Sequence, residues 1–267
     1  MEIAAVLTLG STGRRGRGVF NSNHSREGLI MNAWIEELST GLLRSPDADA
    51  AFALVLSTAR KLGFDYCAYG LRLPLPVSKP RVFLLNNYPP EWVRQYEEAG
   101  YLAIDPTVLH GRRTQAPIVW TDSLFANARE MWDAARSFGL TVGWAQSSFD
   151  ANGVVGMLTL ARSGQAMTES ELRDGEPNMR YLVSASHYAL SRALSSDMQK
   201  GPAVLLTARE TEILKWLADG MTSKEVSDLL HISFDTVNFH VKNAITKLGA
   251  ANKTGAVARA ILLGLLG

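Results

Sequence analysis

The sequence predicts an α+β N-terminal domain, an antiparallel sheet with helices on its faces (α-β-α), followed by an all-α helix-turn-helix domain. Three observations lead there. Up to about residue 195, helix-period and strand-period apolar patterns succeed one another, with a hairpin signal in which "TVGWAQSSF" and "VVGMLTLA" flank the turn "DANG". From residue 203 onward, four short helical patterns follow with almost nothing strand-like. Between them lies "SSDMQKGPAV", polar and carrying a Gly-Pro pair, which is the one convincing linker. The expected division is a first domain over 31–195, a linker over 196–202 and a second domain over 203–267. Residues 1–30 read as a disordered tail or as sequence upstream of a start at Met31. Their apolar "MEIAAVLTLG" precedes its basic cluster, the reverse of a secretory signal.

Element by element, the first domain opens with "MNAWIEELSTGLLRS", where Ile35, Leu38 and Leu42 share a helical face. A second helix follows, with Asp47 as its cap and Gly63 as its stop. Strand-like "FDYCAYGLRL" and "RVFLLN" are joined by a proline-rich connection, and Pro89 and Pro90 open a short helix that Gly100 ends. Asp105 and Pro106 occupy the cap and first position of the next helix. Residues 122–138 read as a periodic helix closed by Gly139. After the hairpin, Thr168 and Glu171 form a capping box for a helix running through "RYLVSASHYALSRALS".

Composition narrows the function. A chain of 267 residues that is 46% hydrophobic and 20% charged is a folded protein with room for two ordinary domains. Its net charge of +1 means that any nucleic-acid surface must be local. The lone Cys67 excludes an internal disulfide and fits a reducing cytoplasm. No run approaches the roughly 18 apolar residues of a membrane helix, so no membrane partner is expected. An enzyme is not expected either. There is no G-x-S-x-G elbow, and Cys67 has no recognisable histidine partner. His24, His110, His187, His231 and His240 show no metal-ligand spacing, so neither metal nor cofactor is expected.

The second domain carries a local surface of the right kind. Thr207 with Glu210 and Thr222 with Glu225 cap its first two helices, and Ser233 caps the third after a break at His231–Ser233. That is helix-turn-helix spacing. Leu229, Leu230, Ile232 and Val237 are placed to lock the pair, and Val241, Ile245 and Leu248 extend the buried face. The opposite face offers Asn238, Phe239, Lys242 and Asn243. Lysines 242, 247 and 253 are the only charged residues from 238 to 253. Lysine neutralises phosphates, and Asn and Lys can reach base edges in the major groove. Spacing alone leaves open a plain helical bundle with a solvated lysine face. The residues Leu206, Thr207, Glu210, Leu214, Gly220, Ile232, Ser233, Thr236, Val237, His240 and Lys247–Leu248 closely resemble the LuxR/NarL-type DNA-binding domain. That resemblance implies double-stranded DNA as partner. It places Thr222, Ser223, Lys224, Thr236, Asn238, Phe239, Lys242 and Asn243 at the interface. Asn238 stands where the family often has a basic residue.

In the first domain the stretch "NYPPEWVRQYEEAGYLAIDPT" gathers Tyr88, Trp92, Tyr96 and Tyr101 near one acid, Asp105. Such a cluster suits plain core, a stacking platform, or the lining of a pocket for a small amide. Trp92 and Tyr96, at i and i+4, also fit a helix core; Asp105 also fits a simple cap, and Thr159 an ordinary strand residue. No receiver-type acidic pocket and no P-loop is present. Residues 82–107, with "PIVW", "FGLTVGWAQS" and "GMLTLARS", resemble the autoinducer-binding domain of LuxR-type quorum-sensing receptors, the LasR and QscR branch most closely. That resemblance implies an N-acyl homoserine lactone bound by Tyr88, Trp92, Tyr96, Asp105, Thr107, Trp120 and Thr159. The Trp92 indole N–H would meet the lactone carbonyl and the Asp105 carboxylate the amide N–H. Tyr88, with Thr159, would donate to the amide carbonyl, and Trp120 would close over the ring. Ala68 departs from the pattern, standing where close relatives have a hydroxyl. The resemblance also implies a homodimer, through helix 169–195 and Leu262, Leu263, Leu265 and Leu266, with RNA polymerase as a further candidate partner. A LuxR-type solo regulator answering a non-lactone molecule is the alternative.

Overall fold

A computed structural model describes residues 34–151, 153–196 and 204–267. The expected tail at 1–30 and most of the expected linker fall outside these residues. The first helix, α1, covers 34–44 and buries Leu38 and Leu42. Helix α2, Ala48–Lys61, starts where Asp47 accepts the Ala50 N–H at 2.8 Å and stops before Gly63, whose φ is 86°. Strands β1 (Tyr66–Arg72), β2 (Val82–Asn86), β3 (Ile118–Val119), β4 (Val142–Phe149) and β5 (Val155–Arg162) form one antiparallel sheet in the order β2-β1-β5-β4-β3. Strands β4 and β5 pair antiparallel, as expected of the hairpin's two arms.

Helices pack on both faces of this sheet. On one, α2 lies on β1, and α6, Glu169–Ser196, lies on β4 and β5 and against α2. The buried Tyr69 hydroxyl meets His187 Nδ1 at 2.9 Å and ties β1 to α6. Thr168 accepts the Glu171 N–H at the start of α6, while the Glu171 carboxylate pairs with Arg162 at 2.6 Å. The other face carries α3 (Pro90–Glu98), a 3₁₀ turn over Tyr101–Ala103, α4 (Pro106–Gly111) and α5 (Arg129–Ser137).

Helix α5 is shorter than its periodicity predicts. Residues 122–127 form turns instead, and Ala128 interrupts the pattern at φ −135°. Two side-chain interactions account for this. Asp122 accepts the Trp132 indole N–H at 2.7 Å, and Phe125 stacks on Trp132 with ring centroids 4.4 Å apart. A continuous helix cannot bring those groups together, and aromatic packing overrides the weak helical propensity of the segment.

The C-terminal residues form α7 (Ala208–Ala218), α8 (Ser223–Leu229), α9 (Phe234–Leu248) and α10 (Lys253–Leu262). Both capping boxes form with their reciprocal hydrogen bonds, and Ser233 caps α9. Ile213, Leu214, Val226, Val237, Ala244 and Ala256 make the core. Leu230 and Ile232 pack against it as expected, but Leu229 is 44% exposed, and Val226 fills the role assigned to it. Helix α10 ends sooner than expected, and Leu263, Leu265 and Leu266 fold back on the core.

Lys247 has a structural task. Its Nζ lies 2.7 Å from Glu210, which is only 3% exposed and also accepts the Thr207 N–H. Burial alone would raise the Glu210 carboxyl, but Lys247 and Thr207 outweigh it and hold it below the usual range. A depressed carboxylate contributes stability that is present above the unfolded value and is lost as pH falls through the folded one. Lys247→Met, which keeps the packed stem and removes the charge, is expected to destabilise this module by roughly 2 kcal/mol, readable by urea unfolding at neutral pH. The difference from wild type is expected to shrink in acid as Glu210 protonates.

Candidate functional site

A cavity of about 550 Å³ lies between the sheet and the α3–α4–α5 side, a size typical of small-molecule sites. Every ligand residue expected from the sequence lines it: Tyr88, Trp92, Tyr96, Asp105, Thr107, Trp120 and Thr159. Ala68 lines it too.

Asp105 is placed by a chain of local rules. Gly100, in the left-handed region at φ 65°, ends α3 and turns the chain into the 3₁₀ segment. Asp105 then caps α4, with Pro106 at the first helical position. Its Oδ1 accepts the Thr107 N–H at 2.8 Å and the Thr107 hydroxyl at 2.7 Å, and its Oδ2 accepts the Tyr96 hydroxyl at 2.9 Å. Cap and pocket roles therefore coexist, because each carboxylate oxygen has two lone pairs and Oδ2 retains acceptor capacity. Burial pushes the Asp105 carboxyl above its ordinary value, and the Thr107 and Tyr96 donors oppose that shift. Tyr88 and Tyr96 are raised as well, by burial first and by nearby acids second, so both phenols stay neutral donors.

An aromatic wall surrounds this acid. The Trp92 ring meets Tyr96 edge-on at 5.6 Å and lies 6.0 Å from Tyr101. Tyr101 is a packing residue of this wall, 4% exposed. Trp120 stands edge-on to both Phe125 and Trp132 at 5.9 Å, with its backbone N–H donating to the Gly143 carbonyl at 2.8 Å. The indole lies flat against Gly143, where a methyl would occupy the ring's own space. Its Nε1 is buried and has no hydrogen-bond partner among the described residues. An orphaned buried donor costs about 1–3 kcal/mol until something accepts from it. The sequence assigned Trp120 only the role of a lid.

Farther along β1 and β5 the lining carries Met157 and Val155, whereas the apolar Met131 and Leu140 pack in the cluster around Trp92 and Trp120. Val82, Leu84 and Leu102 line the cavity and yet remain 48%, 46% and 40% exposed, so the cavity has an uncovered apolar rim. Sequence reading missed these residues. The strand alternation that carries Ala68 and Thr159 would have found Gly70 and Met157 on the same face, once the β1–β5 register is known.

In the C-terminal module, α8 and α9 are joined by a turn in which His231 takes φ 52°. Phe239 is 62% exposed, Lys242 is exposed, and Asn238 and Asn243 are half-buried on α9. Thr222 and Thr236 are exposed at the two helix starts, with Thr236 Oγ1 2.7 Å from the Ser233 hydroxyl. Lys224 is exposed and paired with Asp228 at 2.6 Å. Ser223 differs from the rest of this set: it is 8% exposed and faces the module interior. Lys247 is likewise engaged with Glu210, so among the described residues the unpaired positive charge of α9 rests on Lys242.

No described helix is long and apolar enough to cross a membrane, and no group of three or more His, Cys, Asp or Glu among the described residues could hold a metal ion. A ligand-sized cavity in an α-β-α domain, followed by a capped helix-turn-helix, defines a ligand-responsive transcriptional regulator. Residues 47–193 match the autoinducer binding domain family, and residues 204–260 match the bacterial regulatory proteins of the luxR family. The transcriptional activator protein AnoR of Acinetobacter nosocomialis is 42% identical over 238 residues, covering 88% of this chain and all of AnoR. The crystal structure of Escherichia coli SdiA superposes with a TM-score of 0.75 at 33% identity, covering 89% of this chain and 99% of SdiA. A second SdiA structure, in complex with octanoyl-rac-glycerol, gives a TM-score of 0.73 at 34% identity over 88% of this chain and 96% of that one. The chain belongs to the LuxR family of quorum-sensing transcriptional regulators, and its relatives are regulators, not enzymes.

Proposed function

We propose that this regulator binds an N-acyl homoserine lactone in the cavity and then binds operator DNA in the cytoplasm as a homodimer. RNA polymerase is a candidate further partner. The sensor would span 31–195 and the DNA-binding domain 203–267, joined by 196–202. The observation that carries the reading is the buried Asp105 carboxylate, held by the neutral Thr107 and Tyr96 donors in a mostly apolar cavity whose lining also includes Arg72, Glu97 and Arg112. An amide N–H suits Asp105 Oδ2, and the ligand's carbonyls suit the Trp92 indole, the Tyr88 and Thr159 hydroxyls and the unpartnered Trp120 Nε1. These contacts follow the LasR and QscR pattern. Polar groups orient the head, and the tail adds about 0.8 kcal/mol per buried methylene. Because a ligand that binds only the folded state stabilises it by mass action, lactone concentration becomes a folding and DNA-binding signal.

For dimerisation, α6 offers Tyr188, 60% exposed, and α10 offers Ile261, 54% exposed. The leucines 263, 265 and 266 are instead committed to the module's own core. On DNA, Lys242 would neutralise a phosphate while Asn238 and Asn243 reach base edges, with Phe239 against a thymine methyl. Fluorescence anisotropy on a labelled operator tests the whole reading. Lactone-dependent, dimeric binding is expected, and equal binding with and without lactone would refute it.

Lactone affinity is expected to depend on pH. The amide N–H needs the Asp105 carboxylate, whose value in the empty protein is raised. Affinity should be full above that raised value and fall as pH drops through it, approaching about tenfold per unit. The empty fold behaves oppositely, losing stability as pH rises from the ordinary carboxylate range through the raised value. Calorimetric titration across pH 4–8 (a roughly bracketing range around carboxylate values) measures the first effect.

A second reading, a solo regulator answering a non-lactone acyl compound, draws on the SdiA structure in complex with octanoyl-rac-glycerol and on Ala68. A glycerol ester has no amide N–H to give Asp105. Binding that survives Asp105→Asn unchanged would favour this reading.

A further inference from the structure

The head-group contacts gather at one end of the cavity, and the register of the sheet shows where the rest of a ligand must run. Ala68 pairs with Thr159, Gly70 with Met157 and with Leu84, and Arg72 with Val155 and with Val82. All of these line the cavity. Trp120 lies over Gly143, which pairs with Ala161, one rung before the Ala68–Thr159 rung. The rungs therefore lead from the polar end, past Gly70, to Arg72 and the uncovered Val82 and Leu84, with Leu102 of the 3₁₀ turn also exposed on the cavity lining. From Ala68 to Arg72 the floor extends ~13 Å.

Gly70 sits at the middle of this floor, and nothing in the fold requires a glycine there. Its φ is not positive, and a Cβ built on it meets no atom within 4 Å. Glycine inside a strand weakens it, and its presence marks a close approach by a ligand or another backbone. Here no backbone approaches, and the open space is the cavity. Along this path the one remaining hydroxyl, that of Ser147, is buried and spent on the Thr114 carbonyl at 2.7 Å. Among the described residues, the strand floor offers an acyl chain a largely apolar surface with no uncommitted neutral side-chain donor between Thr159 and the charged Arg72, while Glu97 and Arg112 line the cavity on its helical side.

We propose that Gly70 sets the ligand's chain length: a long, saturated acyl chain without polar substituents beyond the head region crosses Gly70 and covers the Val82–Leu84–Leu102 rim. This rests on the lactone reading above. A side chain at position 70 would project into the channel and leave room only for short chains.

The test uses the purified full chain as wild type, Gly70→Ala and Gly70→Leu, with butanoyl-, hexanoyl-, octanoyl-, decanoyl- and dodecanoyl-homoserine lactones, read as the shift in unfolding midpoint. Wild type is expected to respond more strongly with each lengthening. Gly70→Leu is expected to lose at least about tenfold in affinity for decanoyl and dodecanoyl lactones, since it removes cover from several methylenes, while keeping the short ones. Gly70→Ala, whose methyl meets nothing, is expected to fold at least as well as wild type and to show a smaller loss confined to long chains. A folded Gly70→Leu protein with the wild-type profile would overturn the proposal. Should Gly70→Leu fail to fold, an unchanged long-chain profile in Gly70→Ala would overturn it equally. Wild type that answers no lactone refutes the lactone reading instead. The channel is then probed with monoacylglycerols of the same lengths, where loss of the long chains in the Gly70 variants supports it and an unchanged profile overturns it.

Discussion

Asp105→Asn is expected to weaken lactone binding by about ten- to a hundredfold, the worth of a hydrogen bond to a charged acceptor. The substitution separates the residue's two roles. Asparagine caps a helix about as well as aspartate, so the Thr107 contact and the start of α4 should survive. What is lost is a charged acceptor aimed into the cavity and the partner of the Tyr96 hydroxyl at 2.9 Å. Removing a carboxyl already raised by burial should also leave the empty protein as stable as wild type, or more so, at neutral pH. Calorimetric titration for affinity and thermal unfolding without ligand measure the two effects separately. A stable apo protein with weak binding is the expected pair. Equal loss of both would mean that Asp105 serves the fold alone.

Gly143→Ala is expected to have the other large effect. The new methyl would coincide with the Trp120 indole, which rests on the glycine and is held on its far sides by Phe125 and Trp132. The ring packs edge-on to those two aromatics and borders the cavity, so it must swing toward the cavity or the strand must shift. Overpacking of this kind costs about 1–3 kcal/mol in the empty protein. Loss of the ring's cover over the polar end should then weaken ligand binding by at least about tenfold. Gly143→Ala combined with Trp120→Ala gives the control. If the clash is the cause, Gly143→Ala should cost far less in the Trp120→Ala background than alone, so the double variant unfolds close to Trp120→Ala while still binding poorly, and two additive losses would deny it.

What was legible in the sequence was local. Asp105 before Pro106, Asp47 before its helix and the boxes at Thr207–Glu210 and Thr222–Glu225 are interactions between near neighbours, and each formed as read. The aromatic residues and Asp105 could be placed in one cavity because they crowd a single short stretch or fall on family positions. What was not legible depends on pairings across the chain. The partner that claims Lys247 is 37 residues away, at Glu210. The turns at 122–127 exist because Asp122 and Phe125 meet Trp132, which periodicity cannot register. Gly70 is an unremarked residue until the register places it between Leu84 and Met157 on the cavity floor, with open space above it. The uncommitted N–H of Trp120 becomes visible only when the rings around it are in place.

The most direct test of the central claim is the unfolding midpoint of the purified full chain, measured without ligand and with long-chain acyl-homoserine lactone at increasing concentration. A ligand held in the core of the folded state should add about 2.7 kcal/mol at a hundred times its dissociation constant, so the midpoint should climb steadily with concentration. Asp105→Asn should flatten that climb. A folded wild-type protein whose midpoint stays fixed at every lactone concentration would contradict the account.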